Sequence, residues 1–158
     1  RANIYLHWHK QGLVLRIVGC GIPMRISIPN RVMKPSILLV EDDEFIGLLV
    51  KTVLTNAGYQ VEVASRLEEV AALDAESLSA VITDFQLPGA DGCEIIRHLR
   101  EKVPSMPALL ISGYGNWAIE KCAERGIENI RHLEKPFRAD QILRTVEELV
   151  PVNVTPEQ

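Results

Sequence analysis

From Met33 onward the chain alternates between two textures of apolar and polar positions. Apolar runs of strand length stand at Ile37–Val40, Ala80–Ile82 and Ala108–Ile111, with weaker versions at Tyr59–Val63 and Ile130–Leu133. Near-continuous apolar runs bounded by polar residues suit parallel strands covered on both faces. Helical patterns lie between them. Phe45, Leu48, Leu49, Thr52 and Val53 repeat at i, i+3, i+4, and Gly58 follows as a C-terminal cap. Ile95, Ile96 and Leu99 share one face between Glu94 and Lys102, as do Ile142, Leu143, Val146, Leu149 and Val150 near the end. Ser65–Glu76 and Trp117–Arg125 supply a second and a fourth helix. The pattern predicts β-α five times over: an α/β protein with an open parallel sheet and helices on both faces, three layers in all.

Composition narrows the class without changing it. The chain has 158 residues, 47% apolar and 24% charged, which is globular and sized for one ordinary domain. No apolar run approaches the roughly 18 residues that a membrane-spanning helix needs. Cys20, Cys93 and Cys122 are odd in number and scattered, so neither a disulfide framework nor a zinc knuckle is expected, and a reducing, cytoplasmic setting fits. Charge is uneven. Residues 1–32 carry Lys10 and four arginines with no acid, for +5; residues 33–158 hold the other 12 basic residues and all 21 acidic ones, for −9. An acidic globular part is a poor match for nucleic acid, whose phosphates need clustered Lys and Arg. The expected division is a basic N-terminal extension (1–32), a domain (33–150) and a short tail (151–158) with no room for an output domain. Met33-Lys34-Pro35-Ser36 looks like a native start, which makes the extension a stretch foreign to the domain or a remnant of a preceding one. Gly12–Val18 and Arg25–Ile28 are its candidate strands.

In open parallel sheets, ligands bind beyond the carboxyl ends of the strands. The first strand here ends in Glu41-Asp42-Asp43-Glu44, the third at Asp84, the fourth at Ser112 and the fifth at Lys135-Pro136. Adjacent central strands would crowd the carboxylates together. Two of them about 4 Å apart repel by roughly 4 kcal/mol at an effective dielectric near 20, against a domain stability of about 5–15 kcal/mol. Such a cluster calls for solvent, a raised pKa or a cation. Carboxylates without His or Cys favour a hard ion, and Mg²⁺ accepts one or two of them while keeping waters and a phosphate oxygen. Lys135 adds a point charge for a phosphoryl group and Ser112 a hydrogen-bond donor. Each piece also has a plainer role. Asp43 and Glu44 suit a helix N-terminus, and Glu41 and Asp42 taken alone read as caps with equal ease. Asp84 before Leu87-Pro88-Gly89 suits a turn, and Lys135 an ordinary surface.

The residues reach a family when taken together. Ile37-Leu38-Leu39-Val40-Glu41-Asp42-Asp43, Val81-Ile82-Thr83-Asp84 with Leu87-Pro88-Gly89-Ala90-Asp91-Gly92, Leu110-Ile111-Ser112-Gly113 and Glu134-Lys135-Pro136-Phe137 resemble the receiver domain of two-component response regulators, over about Lys34 to Val150. The resemblance implies a flavodoxin-like (βα)5 fold, strand order 2-1-3-4-5. It implies that Asp84 accepts a phosphoryl group from a histidine kinase or phosphotransfer protein. It further implies that Asp42 binds Mg²⁺ directly and Glu41 through water, with Asp84 and the Gln86 main-chain carbonyl completing the metal residues. Ser112 takes the switch-hydroxyl position, Lys135 pairs with the phosphate, and the Lys135–Pro136 bond is cis. A downstream protein or a second copy would dock on the face of the fourth helix, fifth strand and fifth helix. No nucleic-acid or membrane contact is implied.

One position departs. Receivers carry Tyr or Phe three residues before the lysine; here it is His132, titratable and smaller, so coupling to Ser112 is expected to be weaker or pH-sensitive, unless it is an idle strand-edge histidine. Trp117 is expected in the core rather than on a docking face. Residues 19–29 also resemble the closing strand of a histidine-kinase ATP-binding domain. Competing readings are a Mg²⁺-dependent phosphohydrolase with an Asp nucleophile, a receiver excised from a hybrid kinase, and a degenerate receiver. The hydrolase of haloacid-dehalogenase type wants Asp-x-Asp-x-Thr/Val after the first strand, a spacing that Asp42-Asp43-Glu44-Phe45 lacks. A signalling switch rather than an enzyme is the leading expectation.

Overall fold

The computed structural model describes residues 3–9, 12–18, 25–27 and 35–151. The chain divides into two units, Arg1–Met33 and Lys34–Gln158. In the first, β1 (Asn3–His9) pairs antiparallel with β2 (Gly12–Val18), and β2 with β3 (Arg25–Ser27). Strand β1 was not anticipated, although Ile4, Leu6 and Trp8 alternate with the period of a strand. Most of the 19–29 stretch, and the tail from residue 152, lie outside the described residues.

The second unit repeats strand and helix five times: β4 (Ser36–Val40), α1 (Glu44–Asn56), β5 (Gln60–Ala64), α2 (Leu67–Ala71), β6 (Ala80–Asp84), α3 (Gly92–Lys102), β9 (Ala108–Ser112), α4 (Asn116–Glu124), β10 (Ile130–Glu134) and α5 (Ala139–Leu149). A two-stranded antiparallel hairpin, β7 (Gln86–Leu87) with β8 (Ala90–Asp91), sits between β6 and α3, turning at Gly89 with φ +79°. The five main strands are all parallel, in the order β5-β4-β6-β9-β10. Counted by repeat, that is 2-1-3-4-5, the flavodoxin-like arrangement.

The period of two sorts each central strand between two cores. Leu38, Val40, Val81, Ala108 and Leu110 pack under α3 and α4; Ile37, Leu39, Ala80, Ile82, Leu109 and Ile111 pack under α1 and α5. Both sets are buried, so β4, β6 and β9 have no solvent face. Each large side chain so buried contributes about 1.5–3 kcal/mol of transfer free energy. The two weaker runs became edge strands: β5 and β10 are partly exposed along most of their length. Their sequences are weaker because one side of each strand meets water.

Four expectations need correction. The Phe45/Leu48/Leu49 stripe of α1 faces solvent, at 86%, 65% and 50% exposure, while Gly47, Val50 and Leu54 are buried. Helix α1 carries apolar residues on two opposite sides, and the sheet selected the stripe displaced by two residues. The predicted Ser65–Glu76 helix is only α2 followed by a single 3-10 turn at Ala75–Ser77, because the Asp74 side chain takes the Glu76 amide and restarts the chain. Trp117 is 47% exposed instead of in the core. Finally, Cys93 and Cys122 are joined as a disulfide with Cα atoms 5.4 Å apart, so the scattered cysteines do not by themselves mark a reducing setting. Their 29-residue separation hides the fact that α3 and α4 both press onto one face of the sheet, where both cysteines are fully buried.

Candidate functional site

The register brings the strand ends to one rim. Val40 lies beside Thr83, Asp84 beside Ile111, and Ser112 beside Glu134. Past those pairs the backbone stays stitched: Glu41 N–H donates to Ala64 O (3.0 Å), Phe85 N–H to Ile111 O (2.8 Å) and Lys135 N–H to Ser112 O (2.8 Å). Glu41, Asp84, Ser112 and Lys135 therefore leave rigid strands at the same level. Asp43 is spent elsewhere: its carboxylate caps α1, accepting from the N–H groups of Phe45 (2.9 Å) and Ile46 (3.1 Å).

Glu41, Asp42 and Asp84 each offer a carboxylate oxygen within 4.8 Å of the others. Glu41 is 4% exposed and Asp84 8%. Lys135 Nζ reaches across from β10 to Asp84 Oδ2 at 2.5 Å and Glu41 Oε2 at 3.1 Å. Asp84 Oδ1 accepts from the Gln86 N–H at 3.1 Å, and Glu41 Oε1 from the Asp43 N–H at 3.2 Å. Burial holds the Glu41 carboxyl above the usual carboxylate range, partly offset by the Lys135 hydrogen bond and reinforced by the Asp84 charge. Burial works against the Lys135 ammonium, but its hydrogen bonds to Asp84 and Glu41, with their negative charge, hold its pKa above the ordinary lysine value. Three carboxylates against one ammonium leave two negative charges uncompensated in a half-buried pocket. An all-oxygen donor set with that deficit fits a small divalent cation such as Mg²⁺.

The rim has further members. Ser112 Oγ lies 3.0 Å from His132 Nε2 and accepts from the Tyr114 N–H at 3.3 Å. Phe85, next to Asp84, meets Trp117 edge to face at 5.4 Å, and Trp117 meets Tyr114 at 5.6 Å. Gly92, at the start of α3, backs onto the site: a Cβ there would lie 2.5 Å from the Asp84 carbonyl oxygen and 2.6 Å from Leu110 Cδ1. The Lys135–Pro136 bond is cis.

The structure thus gathers Glu41, Asp42, Asp84, Ser112, Lys135 and His132 at one rim, and brings Gln86 in through its amide. Sequence reasoning missed Phe85, Tyr114 and Gly92. Gly92 stood only as the last residue of the Leu87-Pro88-Gly89-Ala90-Asp91-Gly92 motif, with no role of its own; only the packed sheet shows why a side chain is excluded there.

Comparison with known proteins places these features in context. A family model described as the response regulator receiver domain matches residues 37–147. The C4-dicarboxylate transport transcriptional regulatory protein DctD of Rhizobium meliloti is 31% identical over 114 residues, 70% of this chain but 24% of that protein. Sporulation initiation phosphotransferase F of Bacillus subtilis is 29% identical over 122 residues, covering 76% of this chain and 97% of its own. The chain spans only about a quarter of the length of DctD and of FleR from Pseudomonas aeruginosa. Among solved structures, a response regulator receiver protein from Sinorhizobium medicae superposes with a TM-score of 0.65 at 30% identity, over 74% of this chain and 94% of the other.

Proposed function

The chain belongs to the response regulator receiver family of two-component signalling, and from that premise we propose that Asp84 is the phosphoacceptor of a Mg²⁺-dependent phosphorylation switch. One observation carries the assignment: Asp84 is the carboxylate that Lys135 contacts most closely within a group of three acids. An Asp84 carboxylate oxygen attacks the phosphorus of a phosphohistidine, the P–N bond breaks, and the imidazole leaves with the electron pair, forming an acyl phosphate. Glu41, Asp42, Asp84 and the Gln86 main-chain carbonyl would hold Mg²⁺. When bound, the ion neutralises carboxylate and phosphoryl charge. The chain's own groups do the rest. Lys135 is already at the acceptor and pairs with an incoming phosphoryl oxygen, and the Gln86 N–H orients the carboxylate through Oδ1. Ser112 donates its hydroxyl hydrogen to the arriving group. Positioning and charge neutralisation are most of what phosphoryl transfer asks of a protein.

The donor in this reading is a cognate histidine kinase or phosphotransfer protein. The reader is a downstream protein, or a second copy, docking on α4, β10 and α5. Exposed Trp117 and Tyr114 at the start of α4 support that face, since half-exposed aromatics are common interface anchors. Among the described residues no helix is long and apolar enough to cross a membrane. We place the switch in the cytoplasm, where ATP-dependent phosphodonors work. The chain acts as a signal carrier whose only chemistry is on itself.

The test is incubation with acetyl phosphate and Mg²⁺, followed by mass spectrometry. A single hydroxylamine-labile phosphate that is absent in Asp84→Asn is expected. Multiple turnover on varied phosphate esters would instead make the protein a phosphohydrolase.

A further inference from the structure

Ser112 is 1% exposed at the end of β9, so its one hydrogen and two lone pairs must be matched by neighbours. The Tyr114 N–H takes one lone pair at 3.3 Å. His132 Nε2, 3.0 Å away, is the one side-chain acceptor set against the hydroxyl hydrogen among the described residues. Leaving that hydrogen unpaired in a buried site would cost its full desolvation penalty. The resting polarity follows: Ser112 O–H donates to a bare Nε2, and the ring keeps its hydrogen on Nδ1.

The surroundings agree with a neutral ring. Burial pushes the His132 pKa below the ordinary histidine value, with Glu134 pulling the other way. Glu134 is on the same strand, its carboxylate oxygen 3.6 Å from where a Gly115 Cβ would stand at the entry to α4. Of the other charges on the neighbouring elements, Lys121 pairs with Glu124 on α4, Arg131 of β10 with Glu148 of α5, and Arg144 with Asp140 on α5; Glu120 of α4 and Glu147 of α5 add negative charge on the same elements. Arg131 also points to the opposite face of the strand from His132.

Phosphorylation disturbs this bond, because a single hydroxyl hydrogen cannot serve two acceptors. Resting on the reading that Ser112 donates to the phosphoryl group, we propose that phosphorylation of Asp84 reverses the Ser112–His132 hydrogen bond. The hydroxyl turns its hydrogen to the phosphoryl oxygen, and Nε2 takes a proton from solvent and becomes the donor to Oγ. The O–H bond is kept and one N–H bond forms. Without that proton, two lone pairs would face each other across the present 3.0 Å contact. Solvent reaches the ring because His132 is only partly buried. His132 is then a positioning residue. It holds the hydroxyl in check at rest, and after transfer it fixes Oγ with its hydrogen aimed at the phosphoryl group.

The experiment is long-range ¹H–¹⁵N NMR of the histidine rings in the full chain, with and without beryllofluoride and Mg²⁺ as the phosphoryl mimic. His132 is assigned by the loss of its signals in His132→Phe, and occupancy of the site is followed by ¹⁹F NMR. The expected result is a shift of Nε2 from the range of an unprotonated ring nitrogen to that of a protonated one, growing in step with the bound ¹⁹F signal. A bound ¹⁹F signal with Nε2 unchanged, or an equal shift in Ser112→Ala, overturns the reversal and leaves the phosphoacceptor reading standing. Absence of any bound ¹⁹F signal in the unaltered chain overturns both.

Discussion

Gly92 shows how much a single position can decide. A Cβ added there would stand 2.5 Å from the Asp84 carbonyl oxygen and 3.1 Å from the Phe85 Cα, both backbone atoms that cannot swing aside. Gly92→Ala is therefore expected to destabilise the domain by about 1–3 kcal/mol, the usual range for overpacking. Because the clash pushes on Asp84, the proposed phosphoacceptor, labelling by acetyl phosphate should fall as well. Urea unfolding and labelling rates check the two effects separately; a fully stable, fully labelled variant would show that the strand end yields easily. Asp84, Glu41 and Lys135 were legible in the sequence because each ends a strand and carries a chemically telling group. Gly92 was not, because its partners, Asp84 and Leu110, lie on two other strands. His132 stood out as a departure from a pattern, yet its bond to Ser112 needed the parallel register of β9 and β10.

At the scale of elements, the helix ends are unequal. Asp91 forms a capping box on α3, accepting from the Glu94 N–H at 3.0 Å while Glu94 accepts from the Asp91 N–H at 3.1 Å. Its other oxygen meets Arg125 at 2.6 Å, just past α4. Helix α4 has no side-chain cap and starts from Gly115, at φ +53°. Asp91→Ala is expected to cost about 0.5–2 kcal/mol, the worth of a lost N-cap, measured by denaturant midpoint. Amide exchange should rise first in the opening turn of α3, and an unchanged pattern there would mean the cap is idle. The strand-helix alternation was plain in the sequence, whereas the inward face of α1 and the partnership of Cys93 with Cys122 were not. A helix that is apolar on two sides does not say which side the sheet will cover. Two cysteines on different helices do not announce that those helices are neighbours.

For the molecule as a whole, the two units make separate predictions. Residues 33–150 form the domain in the division proposed here, and both apolar cores are assembled from residues within that span. A chain shortened to begin at Met33 is expected to keep its unfolding transition and its Asp84 labelling. A collapse of either would mean that the basic extension is part of the fold. Stability should also follow the ion. Mg²⁺ at ten times its dissociation constant should add about 1.4 kcal/mol, and that gain should be lost in Asp42→Asn.

By itself the sequence determined the kind of protein. Periods of 2 and 3.6 residues decide strand against helix locally, and the acids, serine and lysine at successive strand ends are written in the chain. Tertiary structure alone decided what touches what: which stripe of α1 turns inward, where Trp117 stands, how Lys135 spans Asp84 and Glu41, and that Ser112 Oγ meets His132 Nε2. Those outcomes depend on distances between residues remote in sequence, and such distances exist only once the sheet has set its order and register.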